Sequence, residues 1–194
     1  MATNAPFGFR PVRYLNGSPY NGATIRAIAS ATTTAIGLGQ PVALAADGAL
    51  VAVSVTTQLI YGYAMGFEAS GGGSPTGSDL SQAGTNAVFS NAKATTQGGF
   101  VHVALAPGLV CAVQMTDGIV ASAALIGGNT EIANSAPNMA FGVSRAEVAA
   151  DSSATLRQFN VVGIHSIPDA SGTFQEVLVV ANEHFFGSAG ITGV

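Results

Sequence analysis

Gln40-Pro41-Val42-Ala43-Leu44-Ala45, then Asp47-Gly48, then Ala49-Leu50-Val51-Ala52-Val53-Ser54-Val55 is the stretch on which the fold turns. Two short apolar runs flank an Asp-Gly pair, the strongest short-range signal for a β-hairpin. A two-residue type I′ turn needs positive φ at both central positions, which Asp and Gly tolerate. The same grammar continues on both sides. Thr24-Ile25-Arg26-Ala27-Ile28-Ala29 is β-branched enough for a strand. Leu59-Ile60-Tyr61-Gly62-Tyr63-Ala64-Met65-Gly66-Phe67 reads as another, whose glycines predict a bulge or a close backbone approach.

Further on, Phe100-Val101-His102-Val103-Ala104-Leu105 and Leu109-Val110-Cys111-Ala112-Val113-Gln114-Met115 flank Pro107-Gly108 and read as a turn-linked strand pair, closed by a turn at Asp117-Gly118. Met139-Ala140-Phe141-Gly142-Val143 has strand character, and Ser144-Arg145-Ala146-Glu147 has the spacing of a capping box, which predicts one short helix. Gln158–His165 and Phe174–Ala181 form a long pair across Pro168-Asp169-Ala170-Ser171-Gly172. Many short strands at regular spacing predict an all-β fold, a β-sandwich or β-barrel of short antiparallel strands. Ser70-Gly71-Gly72-Gly73-Ser74-Pro75-Thr76-Gly77-Ser78 is a flexible loop by composition.

Residues 1–22 differ from the rest. They hold Pro6, Pro11 and Pro19, the pairs Asn16-Gly17 and Asn21-Gly22, the rings of Phe7, Phe9, Tyr14 and Tyr20, and the guanidinium groups of Arg10 and Arg13. Proline and Asn-Gly punctuation breaks helices and long strands. The expected organisation is an extended N-terminal arm over 1–22 and a single all-β domain over 23–194, with the loop near 70–78. Fully extended, the arm would reach roughly 70 Å, at about 3.3 Å per residue. Phe7, Phe9, Arg10, Pro11, Arg13, Tyr14 and Tyr20 are the expected partner-binding residues, since aromatics and arginine anchor protein contacts.

The 194 residues carry only 8% charged side chains against 48% hydrophobic ones, where an average domain carries about 25% charged. That balance excludes the disordered class. Six Lys+Arg against ten Asp+Glu argue against a nucleic-acid partner. No run reaches the length of a membrane span, and the first residues lack a secretory pattern, so synthesis in a cytoplasm is expected. A surface with so few charges is expected to associate with copies of itself or with a partner.

Chemistry is sparse. Cys111 lies in an apolar run and is expected to be a buried thiol. His102, His165 and His184 lack zinc-motif spacing, so no metal or other cofactor is expected. Gly72 and Gly77 have the spacing of a phosphate-binding loop, but Ser78-Asp79 stand where Lys and Ser/Thr are required. Gly71-Gly72-Gly73-Ser74-Pro75 puts proline where a nucleophile elbow needs its last glycine. The reading is not an enzyme; a small β-barrel hydrolase or isomerase using one of the histidines is the rival in that class.

Asn4-Ala5-Pro6-Phe7-Gly8-Phe9-Arg10-Pro11-Val12-Arg13 and Asn16-Gly17-Ser18-Pro19-Tyr20-Asn21-Gly22-Ala23 resemble the opening of head decoration, or cement, proteins encoded beside the major capsid gene in tailed bacteriophages. Gly39-Gln40-Pro41-Val42-Ala43-Leu44 and Ala106–Gln114 echo the group more loosely, and Leu105-Ala106-Pro107-Gly108 departs from it where acidic turn residues are expected. The resemblance implies a non-enzymatic virion structural protein made in the host bacterial cytoplasm. It implies a homotrimer on the capsid exterior whose partner is the major capsid protein. A tail-associated or host-recognition β-protein, using loop 70–78, is the rival binding reading.

Overall fold

A computed structural model describes residues 6–28, 36–54, 56–68, 100–116, 122–134, 137–138, 143–149, 153, 155–165 and 174–187. The expected loop at 70–78, the turn at Asp117-Gly118 and the connection at 168–172 lie outside the described residues, as does most of the strand expected at Met139–Val143.

Two five-stranded sheets carry the fold. The first is ordered β1 (Arg10–Tyr14), β7 (Leu109–Gln114), β14 (Glu176–Ala181), β13 (Phe159–Ile164) and β8 (Asn129–Thr130). The second is ordered β2 (Ile25–Ile28), β6 (Phe100–Leu105), β5 (Gly62–Glu68), β3 (Pro41–Leu44) and β4 (Leu50–Ala52). Two short pairs complete it: β9 (Ile132–Asn134) with β12 (Glu147–Val148), and β10 (Pro137–Asn138) with β11 (Val143–Ser144). Every named pair is antiparallel. The all-β expectation holds, as two hydrogen-bonded sheets around a shared core.

That core takes alternate residues from both sheets, as the period-two pleat requires. Leu109, Cys111 and Val113 of β7 join Val177 and Val179 of β14, Phe159 and Val161 of β13, and Ala43, Tyr63 and Ala104 of the second sheet. The second sheet is apolar on its other face too, where Val42, Leu50, Ala52, Ala64, Val101 and Val103 cluster with Ile36. Strands apolar on both faces show near-continuous hydrophobic runs, which is why 41–44 and 100–105 alternate so poorly.

The hairpin expected about Asp47-Gly48 forms over Pro41–Leu44 and Leu50–Ala52, with Leu44 opposite Leu50 and Val42 opposite Ala52. Its turn is of another type. Gly48 has φ +78° but Asp47 is absent from the positive-φ residues. The Gly48 N–H donates to Ala45 O and the Ala45 N–H to Ala49 O, while Asp47 Oδ1 accepts from the Ala49 N–H. This is the three-residue loop with a left-handed glycine bulge. Gly62 supplies the close approach, since a Cβ there would run into Ala104 O and Val103 Cγ1. The bulge lies between Ala64 and Gly66.

Two expectations are corrected. Phe100–Leu105 and Leu109–Gln114 do not pair with each other; the turn at Pro107-Gly108, closed by Leu109 N–H to Ala106 O, passes the chain from the second sheet to the first. Ser144–Glu147 opens no helix. The Ser144 hydroxyl donates to Gln40 Oε1 at 2.8 Å and accepts the Ala146 N–H at 2.9 Å, and both flanking segments are strands. A tertiary partner for the serine has overridden the local capping pattern.

Candidate functional site

The N-terminal segment is the first candidate, and the structure builds it into the domain. Arg10 pairs with Ala112, Pro11 with Cys111, Arg13 with Val110 and Tyr14 with Leu109, with a register shift between Pro11 and Arg13. Residues 10–14 are therefore an edge strand rather than a free arm. After a turn at Asn16-Gly17 the chain returns beside its own strand, with an Arg13–Pro19 bridge and the Tyr20 N–H donating to Val12 O. Pro11 and Pro19 occupy edge positions, where a missing N–H is tolerated.

Its side chains divide into two sets. Phe9 is fully buried and joins the shared core, stacked on Tyr63 and tilted against Phe159; as a partner-binding residue it is corrected to a core residue. The Phe9 N–H donates to Gly39 O at 2.9 Å. A Cβ on Gly8 would lie 2.6 Å from Ser144 Cβ, so this backbone is pressed against the chain at 39 and 144. Tyr14 and Tyr20 are half-buried and lean on the same core, ring centroids 6.3 Å apart. Desolvation, then the neighbouring Tyr14, raises the Tyr20 hydroxyl above its ordinary range.

The outward set is Arg10, Val12 and Leu15, with Phe7 half-buried beside them. The Arg10 guanidinium lies 3.9 Å over the Phe7 ring and 3.3 Å from Glu176 Oε2. His165 Nδ1 meets the same oxygen at 2.9 Å. Pro11 and Arg13 are half-buried.

A second candidate surface lies where the chain after β14 meets the segment leading into β5. Tyr61, Phe185 and Phe186 make a mutual cluster: Tyr61–Phe186 at 5.2 Å, Phe185–Phe186 at 5.7 Å and Tyr61–Phe185 at 5.9 Å between centroids. Phe185 is 46% exposed and Phe186 49%. The chain is held there by a parallel bridge between Ile60 and His184, with the Phe185 N–H donating to Ile60 O and the Ile60 N–H to Glu183 O. His184 is lowered from its ordinary value by desolvation. In the sequence this region reads as a polar strand end, Asn182-Glu183-His184; the available signal was the uninterrupted Phe185-Phe186.

The remaining titratable groups are set in packing roles. Cys111 is fully buried, as expected, and burial pushes its thiol well up, away from the thiolate form. Glu147 bridges strands, its Oε1 accepting from Gln114 Nε2 at 3.2 Å and its Oε2 from Asn134 Nδ2 at 3.5 Å. His102 lies on β6, His165 beside Glu176 and His184 beside Ile60, each on a different part of the fold. Among the described residues no group of three His, Cys, Asp or Glu is placed to hold a metal ion, and no helix is long and apolar enough to cross a membrane.

No family model, curated protein or solved structure matches this chain.

Proposed function

We propose that this chain is a non-enzymatic structural protein of a tailed-bacteriophage virion. In this reading it binds the outside of the icosahedral head as a homotrimer and bridges neighbouring major-capsid subunits. One observation carries the reading: the resemblance of Asn4–Arg13 and Asn16–Ala23 to the opening of head decoration proteins. The charge-poor β surface, with Phe185 and Phe186 half-exposed, is in keeping with a protein that covers apolar side chains by association.

The mechanism is binding. A protein that engages the assembled shell and not its separated subunits stabilises the shell by mass action. Many weak contacts repeated over a head raise the effective affinity without new chemistry. With Phe9 in the core, the N-terminal contacts fall to Phe7, Arg10, Val12 and Leu15, on and beside a strand already paired with β7, which lowers the entropy lost on docking.

Negative-stain imaging of purified virions, labelled with an antibody to this protein, tests the reading. Uniform label over heads is the expected result. Label confined to the tail would replace it with a host-recognition role, and absence of label would remove it from the virion.

A further inference from the structure

The chain contains two Asn-Gly pairs, Asn16-Gly17 and Asn21-Gly22, all four residues exposed. We propose that Asn21 is a site of spontaneous deamidation to aspartate and isoaspartate, while Asn16, which is likewise followed by glycine, is protected by the fold.

The chemistry needs the main-chain nitrogen of the following residue as nucleophile. A solution base takes the proton from the Gly22 nitrogen, which attacks Asn21 Cγ. The N–Cγ bond forms, the Cγ–Nδ2 bond breaks, and Nδ2 leaves as ammonia on taking a proton. Water then opens the resulting five-membered imide at either carbonyl, giving aspartate or isoaspartate. No oxidant or cofactor is involved.

Both side-chain carbonyls are polarised in the same way. Asn16 Oδ1 accepts the Ser18 N–H at 3.0 Å, and Asn21 Oδ1 accepts the Ala23 N–H at 3.1 Å. Both glycines have positive φ and open space on the side where a Cβ would stand. Electrophile and access are therefore matched.

The nucleophiles are not. The Gly17 N–H donates to Tyr14 O at 2.9 Å, inside a turn closed by Tyr14 N–H to Ser18 O at 2.8 Å. The same turn is clamped against the inter-sheet connection by Leu15 N–H to Gly108 O at 2.8 Å. For Asn16 to react, that turn must open and its hydrogen bond must be given up. The Gly22 N–H has no acceptor among the described residues. One net hydrogen bond corresponds to about tenfold in rate, so Asn21 reacts faster by about that factor.

The test is a time course of the full-length folded protein at mildly alkaline pH, beside the same protein in strong denaturant. Chymotryptic cleavage after Tyr20 separates the two asparagines for mass spectrometry, and isoaspartyl methyltransferase labelling identifies isoaspartate. In the folded protein Asn21 should convert about tenfold faster than Asn16, and in denaturant the two rates should draw together. Equal rates in the folded protein, faster loss at Asn16, or no conversion at Asn21 would each overturn the assignment. Asn21→Gln should abolish the fast phase and leave the melting temperature unchanged; a fast phase that persists in this variant would place the reaction elsewhere.

Discussion

Phe9 lies stacked on Tyr63 with ring centroids 5.3 Å apart and planes 23° from parallel. The first described strand and the second sheet are joined through this contact, because Tyr63 belongs to β5 and Phe9 immediately precedes β1. Phe159, its ring centroid 4.9 Å from that of Phe9 and tilted 32° to it, carries the contact into β13. The N-terminal segment is thereby part of what holds the two sheets face to face.

Phe9→Ala should lower the unfolding free energy by about 3–5 kcal/mol, the range for emptying a buried aromatic site. Removal of residues 1–22 should destabilise the domain more severely still, since it also strips β1 from β7. Urea denaturation followed by tryptophan-free probes, such as far-ultraviolet circular dichroism, reads both. A truncated protein with an unaltered midpoint would restore the detachable arm.

Gly62→Ala should cost about 1–3 kcal/mol, because the new methyl meets a main-chain carbonyl, Ala104 O, that cannot swing aside. Gly163→Ala is the matched comparison: its Cβ would sit 3.4 Å from Leu178 Cδ1, a flexible side-chain end. The second variant should stay within about 1 kcal/mol of the parent. Equal midpoints for the two would show that the sheet yields at Gly62.

Glu147 should make stability fall as pH rises. Desolvation by burial lifts its carboxyl above the ordinary 4.5, against the smaller pull of the Asn134 and Gln114 amides. A raised value in the folded state means that the native protein binds the proton more tightly than the unfolded chain does. The resulting stabilisation is full below the unfolded value and is lost as pH climbs through the folded one. Glu147→Gln cannot titrate, so the parent's unfolding free energy relative to this variant should decline from acid to neutral pH. A rise over the same interval would show that the two amide donors outweigh desolvation.

Phe185→Ser and Phe186→Ser should each change stability by no more than about 1 kcal/mol, since both rings are half-exposed. Under the proposed function, with this cluster as a contact, the double variant should decorate heads less well and show weaker concentration dependence in light scattering. Unchanged decoration would direct attention to the edge at Arg10, Val12 and Leu15.

Local signals served best where partners are close in sequence. Val42 and Ala52 meet across a turn that Asp47-Gly48 announces, and β13 pairs with β14, the next strand along the chain. The failures arise where a distant group overrides the local pattern. Pro107-Gly108 marks a turn correctly, but sequence cannot say that Leu109–Gln114 finds β1 and β14 instead of β6. Ser144 looks like a helix cap until Gln40 is placed beside it. Phe9 looks like a contact residue until Tyr63 and Phe159 enclose it. The aromatic cluster at Tyr61 draws on residues more than a hundred positions apart, so no window along the chain displays it.

The placement of β1 beside β7, with β14 on the other side, also fixes an order in time. Arg10 reaches Glu176 across 166 positions. On a growing chain the hairpin at 41–52 can close as soon as it emerges, but β1 must wait for residues 109–114 and the sheet for residues 176–181. Pairings over such separations are slow to form. While they are pending, the apolar run Leu109–Gln114 presents an open edge to any neighbouring chain. Synthesis interrupted before Glu176 would leave β7 with one strand partner in place of two.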